Sequence, residues 1–189
     1  MKRAIIVHCW EAEPEYCWYP YVKRRLEEMK FEVKVPAFPN SARPTQDEWV
    51  PYLAAEIGKS DEDLYLIGHS IGCITILRYL ETLSPADRVG GVIFVAGFTD
   101  YISYEELKSF FQTPIDFGKI KTRPKNGFVA IHSTDDPYVD LKYGEIFKKE
   151  LGAEVIIVRN KGHFSGPIDE EKSCTELAEV VESVEKMAH

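Results

Sequence analysis

The chain has 189 residues, 44% hydrophobic and 29% charged, with a formal charge of −8. That length fits a single domain, residues 1–189, with a three-layer core and little room for a separate cap. The acidic balance argues against a nucleic-acid partner, and no apolar run nears the ~20 residues that cross a bilayer.

The start, Met1-Lys2-Arg3 followed by Ala4-Ile5-Ile6-Val7-His8, mimics a signal peptide only in outline. Its apolar part is too short for an h-region and runs directly into His8 and Glu11. Ala4 to His8 reads instead as a buried first strand, and a cytoplasmic protein is expected. Cys9, Cys17, Cys73 and Cys174 show no C-x-x-C pair and no metal-ligand spacing. They read as reduced residues, with Cys9 and Cys17 near enough in one loop region to pair. Neither metal nor cofactor is expected.

After a polar loop over 11–15, Trp18, Val22, Leu26 and Met29 fall at helical spacing, with Pro20 tolerated near the first turn. Phe31 to Val35 is a second strand and Pro36 to Asn40 a loop. Thr45 and Glu48 have capping-box spacing before a helix carrying Trp49, Leu53 and Ile57. Pro51 fits poorly inside it, which moves the expected start toward Glu48. A short apolar run, Leu64 to Ile67, then meets Gly68-His69-Ser70-Ile71-Gly72. The segment that follows, with Ile74, Ile76, Leu77, Tyr79, Leu80 and Leu83, is apolar almost all round, as a buried helix is.

Val92 to Ala96 is a fourth strand, and the aromatic-rich 97–123 stretch reads as a small excursion over the strand ends. Phe128 to His132, a helix over 144–151 closed by Gly152, and Val155 to Val158 continue the alternation. A last amphipathic helix shows Leu177, Val181, Val184 and Met187. Strands alternating with helices imply a mainly parallel sheet of about six strands in a three-layer α/β/α architecture.

Gly68-His69-Ser70-Ile71-Gly72 matches the G-x-S-x-G turn of α/β-hydrolases, in which a nucleophile sits on a strained strand-to-helix turn. Chance would supply about 0.06 such matches in a chain of this length at average composition. The strand–turn–helix setting makes the match stronger. A serine hydroxyl needs a base to remove its proton, and in this fold an acid and a histidine follow on later loops. The fifth strand runs into Ser133-Thr134-Asp135-Asp136-Pro137, and the sixth into Lys161-Gly162-His163. Both fall at carboxyl ends of strands, where open α/β sheets place their sites. Singly each is bland: Ser70 could be a helix cap, Asp135-Asp136-Pro137 a turn, and Gly162-His163 a loop. Together they point to nucleophilic catalysis by Ser70 and His163 with one of the two aspartates. A neutral imidazole accepts the Ser70 proton, and an acyl-enzyme forms and is resolved by water. The backbone N–H of Ile71, with a second from the loop after the first strand, would hold the oxyanion. His8, His69, His132 and His189 carry no such pattern.

With those residues placed, the whole chain resembles the small serine hydrolases of the retinoblastoma-binding-protein-nine and YdeN-like family. The likeness includes Trp18-Tyr19-Pro20-Tyr21, Pro36-Ala37-Phe38-Pro39-Asn40, Asp47-Glu48-Trp49 and Gly68-His69-Ser70-Ile71-Gly72-Cys73. It continues in Ser133-Thr134-Asp135-Asp136-Pro137-Tyr138-Val139 and Gly162-His163-Phe164. The resemblance implies a minimal α/β-hydrolase fold without a large cap, and it selects Asp136, directly before Pro137, as the acid. The family usually carries His-Gly after the first strand, where this chain has His8-Cys9-Trp10, and the second oxyanion donor falls at Trp10.

The expected activity is hydrolysis of a small carboxylic ester, thioester or amide, with Trp10, Trp18 and the aromatics of 98–117 lining an acyl pocket or filling the core. Two alternatives stand beside it. A protein-binding module could keep the fold, although it would be expected to have lost one of the three residues. Acyl transfer to an acceptor other than water would use the same residues.

Overall fold

Six short segments, most of them rich in Val, Ile and Leu, pair in parallel throughout the computed structural model, which describes Met1–His189. The strands are β1 (Arg3–Val7), β2 (Glu32–Lys34), β3 (Leu64–His69), β4 (Gly91–Val95), β5 (Phe128–Ser133) and β6 (Glu154–Val158), in the order β2-β1-β3-β4-β5-β6. The connecting helices are α1 (Tyr19–Glu28), α2 (Gln46–Ile57), α3 (Ile71–Thr82), α4 (Phe117–Ile120), α5 (Lys142–Leu151) and α6 (Ala178–Ala188). None of them is long and apolar enough to cross a membrane.

Successive strand residues point to opposite faces, so each strand feeds two cores. Ile5, Val7, Leu66, Val92, Phe94 and Ala130 pack with Trp49 and Leu53 of α2, Leu77 of α3 and Phe147 of α5. Ala4, Ile6, Ile67, Ile93, Val95 and Ile131 pack with Val22 and Leu26 of α1 and Val180 and Val184 of α6. Continuous apolar runs follow from burial on both faces, and Leu64 to His69 is buried at every position. The chain leaves β1 toward β2 on one side and returns to β3 on the other. The resulting switch point opens a crevice at the carboxyl ends of β1 and β3.

Element ends differ from expectation by one or two residues, as helix and strand limits commonly do. The second helix departs in a different way. It begins at Gln46 and runs through Pro51 without interruption. Pro51 forgoes one backbone bond, and the burial of Trp49, Val50, Leu53 and Ile57 on one side holds the helix regardless. Thr45 gives no side-chain cap to the backbone. Its hydroxyl instead donates to one Glu48 oxygen at 3.0 Å, while Asn40 Nδ2 donates to the other at 2.8 Å. The expected capping box is therefore a side-chain clasp that ties the 36–40 loop to α2.

The 97–123 excursion contains a 3-10 turn over Glu105–Phe111 and the short α4. It is moored from below by α3, whose residues Ile71 to Leu80 are all buried, Arg78 among them. Arg78 Nε and Nη2 donate to the Phe110 carbonyl at 2.9 and 2.8 Å, and Nη1 pairs with Glu81 at 2.9 Å. Glu81 in turn accepts the Asp116 N–H at 2.7 Å.

Candidate active site

Ser70 stands between β3 and α3 with φ 53°, a left-handed conformation that side chains rarely adopt. Its N–H donates to the Val95 carbonyl at 2.9 Å, which fixes the turn against β4. Both flanking glycines are sterically required. A Cβ on Gly68 would lie 2.7 Å from the Cys73 nitrogen, and one on Gly72 would overlap the Val7 carbonyl oxygen. The first turn of α3 is thereby pressed against the end of β1. The Ile71 N–H, at the first position of α3, makes no hydrogen bond within the protein.

The loops after β5 and β6 meet beside it. His163 Nδ1 donates to Asp136 at 2.9 Å from Oδ2 and 3.1 Å from Oδ1, and both side chains are almost wholly buried. Asp136 Oδ1 also accepts the N–H groups of Tyr138 and Val139, which hold the carboxylate in place. The neighbouring Asp135 is turned away. It accepts the Ser133 hydroxyl at 2.6 Å and the Gly162 N–H at 3.0 Å, joining the two loops from outside. Those bonds hold its carboxyl below the ordinary aspartate range.

With Nδ1 committed to Asp136, His163 Nε2 remains without a partner, and its ring lines the same cavity as Ser70. The Ser70 hydroxyl and that nitrogen are not hydrogen-bonded to each other here. Catalytic hydrogen bonds are often long in a substrate-free site, so the separation does not by itself part the two residues. The cavity holds about 230 Å³, with Ser70, His163 and Cys9 joined by Trp10, Ile102, Tyr104, Leu107, Tyr138 and Ile168. Glu11 and Asp169 add two carboxylates. Of the aromatics expected in a pocket or the core, Trp10 and Tyr104 line the cavity, whereas Trp18, Phe98 and Phe110 are buried in the cores. Trp10 also sits at the mouth of the β1 loop, and its backbone N–H makes no hydrogen bond within the protein.

Three groups that received no role from the sequence hold this arrangement. His69 Nε2 donates to the His163 carbonyl at 2.8 Å, so its Nδ1 accepts from the Tyr19 hydroxyl at 2.7 Å. Tyr19 itself accepts the Cys9 N–H at 3.0 Å. One buried chain thus spans the loops after β1, β3 and β6. Burial, reinforced by the neighbouring His163, pushes the His69 pKa down to about 3 and keeps it neutral. Glu171 accepts the His163 N–H through both oxygens, at 2.9 and 3.0 Å, and burial raises its carboxyl above the usual range. Nothing at the sequence level marked Glu171, which lies in a polar run.

All four cysteines are free, so Cys9 and Cys17 are not bridged. Burial pushes the Cys9 thiol up to about 12 and raises Cys17 as well, so neither is a ready thiolate. No three His, Cys, Asp or Glu side chains are grouped in a way that could hold a metal ion.

His132 is buried on β5, and neither ring nitrogen has a hydrogen-bond partner in the protein. Burial lowers its pKa to about 4, against an ordinary value of 6.5. The unfolded chain therefore takes up a proton below pH 6.5 that the folded chain refuses until near pH 4. Stability is lost as the pH falls through that window, by up to about 1.4 kcal/mol per pH unit for each such histidine. His132→Leu should flatten the decline of Tm between pH 6.5 and 4. Its Tm at neutral pH should hold or rise, because a buried unpaired polar group is removed. Parallel Tm curves for the two proteins would contradict this account of His132.

The fold and this turn define the chain as an α/β-hydrolase. It belongs to the serine hydrolase family, whose model matches residues 4–179. YdeN of Bacillus subtilis is 31% identical over 164 residues, 86% of either chain. The serine hydrolase RBBP9 of Rattus norvegicus is 28% identical over 173 residues, 90% of this chain and 86% of that one. The crystal structure of the B. subtilis ydeN gene product superposes with a TM-score of 0.91 at 28% identity, covering 100% of this chain and 99% of that one. The sheet and helices also match Est1E from Butyrivibrio proteoclasticus, at a TM-score of 0.71 and 12% identity over 99% of this chain and 86% of the other, a likeness of fold alone. The protein is a hydrolase of the serine type.

Proposed function

We propose that the protein cleaves a small carboxylic ester through an acyl-enzyme on Ser70, with His163 as general base and Asp136 as its partner. The observation that carries this reading is the Asp136–His163 pair at 2.9 Å, with Nε2 left free, in the cavity that Ser70 lines. Asp136 holds the imidazole with its proton on Nδ1, so Nε2 accepts the Ser70 proton as the hydroxyl attacks the carbonyl. The imidazolium then returns that proton to the leaving alcohol. Water, activated by the same nitrogen, resolves the ester on Ser70. The free N–H of Ile71 lies at the start of α3, where the helix dipole also favours developing negative charge.

A small substrate is supported by the cavity, whose roughly 230 Å³ falls below the ~300–1,000 Å³ typical of drug-sized ligands. Its mainly apolar walls suit an uncharged acyl or alkyl group. A fluorophosphonate should label the folded protein at Ser70 alone and stop p-nitrophenyl acetate turnover in proportion to the labelling. Intact, folded protein that stays unlabelled would sink the proposal. Labelling without any ester turnover would keep the nucleophile and reject the ester.

A further inference from the structure

The end of β1 carries a histidine that the reaction itself does not use. His8 is fully buried, wedged edge-on against the rings of Phe38 and Trp49 at centroid distances of 5.3 and 5.2 Å. Its two nitrogens have opposite and unambiguous duties. The Phe38 backbone N–H donates to Nε2 at 3.1 Å, so that nitrogen is an acceptor and carries no proton. The proton therefore sits on Nδ1, which donates to the Cys9 carbonyl at 2.8 Å. Desolvation lowers the pKa of this imidazole, in keeping with a ring held neutral in one tautomer.

The Cys9 carbonyl shares a peptide plane with the Trp10 N–H. No peptide bond in the chain is cis, so that N–H points opposite to the carbonyl, away from the His8 ring. The Cys9 N–H on the other side is held separately by the Tyr19 hydroxyl at 3.0 Å. Both flanks of the unit are pinned, and the Trp10 N–H alone is left without a partner, on a residue that lines the cavity with Ser70. The fit of Gly72 against the Val7 and His8 carbonyls brings this segment against the first turn of α3, beside the free Ile71 N–H.

We propose that His8 is a positioning residue that fixes the Cys9–Trp10 peptide so that the Trp10 N–H serves as the second oxyanion donor. The inference rests on the reading of Ser70 as the acylated nucleophile.

The test compares p-nitrophenyl acetate with its thiono analogue, whose sulfur gains little from an oxyanion hole, and reads the ratio of the two kcat/KM values. His8→Gln places an acceptor near the Phe38 N–H and loses the donor to the Cys9 carbonyl. His8→Asn keeps a donor at the Nδ1 position. His8→Gln should lose about 10–100-fold in kcat/KM on the oxygen ester through kcat. On the thiono ester it should lose only a few-fold, so that the ratio collapses. The ratio should survive in His8→Asn. A ratio unchanged in His8→Gln, or equally reduced in both variants, would overturn the proposal. If His8→Gln fails to fold, Trp10→Pro removes the N–H itself without breaking a backbone hydrogen bond, although the indole's bond to the Ala42 carbonyl goes with it, and an intact ratio there is equally fatal. Fluorophosphonate labelling of the unaltered protein separates the two readings. Absence of label overturns the nucleophile, whereas a labelled protein with an insensitive ratio overturns only the role of His8.

Discussion

Asp136→Asn is expected to lower kcat for p-nitrophenyl acetate by about 10⁴-fold, the size of effect seen when the equivalent acid of a serine protease is neutralised. The cause is a tautomer. Asp136 Oδ1 already accepts the N–H groups of Tyr138 and Val139, so an asparagine would keep its oxygen there. Its Nδ2 would then face His163 Nδ1 as a donor. The imidazole proton would move to Nε2, where it cannot accept from Ser70. Asp135→Asn is the control, since its one engaged oxygen can still accept from Ser133 and Gly162. A loss of no more than a few-fold is expected. Steady-state kinetics on the two purified variants decide the matter, and a deeper loss in Asp135→Asn would mean the wrong carboxylate has been assigned.

Gly72→Ala should be the most damaging of the small substitutions for folding. The added methyl group would enter the Val7 carbonyl oxygen and lie 3.0 Å from that of His8. Both are backbone atoms of a central strand and the turn at its end, with no flexible side chain to give way. We expect a loss of about 3 kcal/mol or more, a fall in Tm on the order of 10 °C. Gly118→Ala is the comparison, because its methyl group would meet only Asp116 Oδ1 at an ordinary 3.4 Å. Thermal melts that place the two variants together would refute the steric argument.

Much of the fold could be read from the sequence because its signals are local. Runs such as Ala4-Ile5-Ile6-Val7 and Leu64-Tyr65-Leu66-Ile67 mark doubly covered strands, and Gly68 to Gly72 marks a turn whose glycines are needed on the spot. The site residues could be nominated because each follows a strand. Their bonds could not. His69 joins Tyr19 to His163 across 50 and 94 residues of chain, and no spacing rule encodes such a link. Glu171 reaches His163 from a loop whose composition is that of any solvated surface. Aromatic content could not divide Tyr104 from Phe110, because the 3-10 turn that separates wall from core has no strong periodicity. Pro51 misled for the opposite reason. A local penalty was read correctly and then outweighed by tertiary burial.

The mooring of the excursion by Arg78 and Glu81 has a mechanical meaning. Ser70 is at the first turn of α3, and Arg78 lies two turns further along the same buried helix. The hydroxyl and the Ile102–Leu107 wall are therefore carried by one rigid strut and are displaced together. Side chains of that wall can be exchanged to admit a different substrate while the strut, and with it the placement of Ser70, stays where it is. Substrate range in this protein should therefore change through the excursion's outward residues, and alterations at Arg78 should blur selectivity by letting the wall drift from the serine it faces.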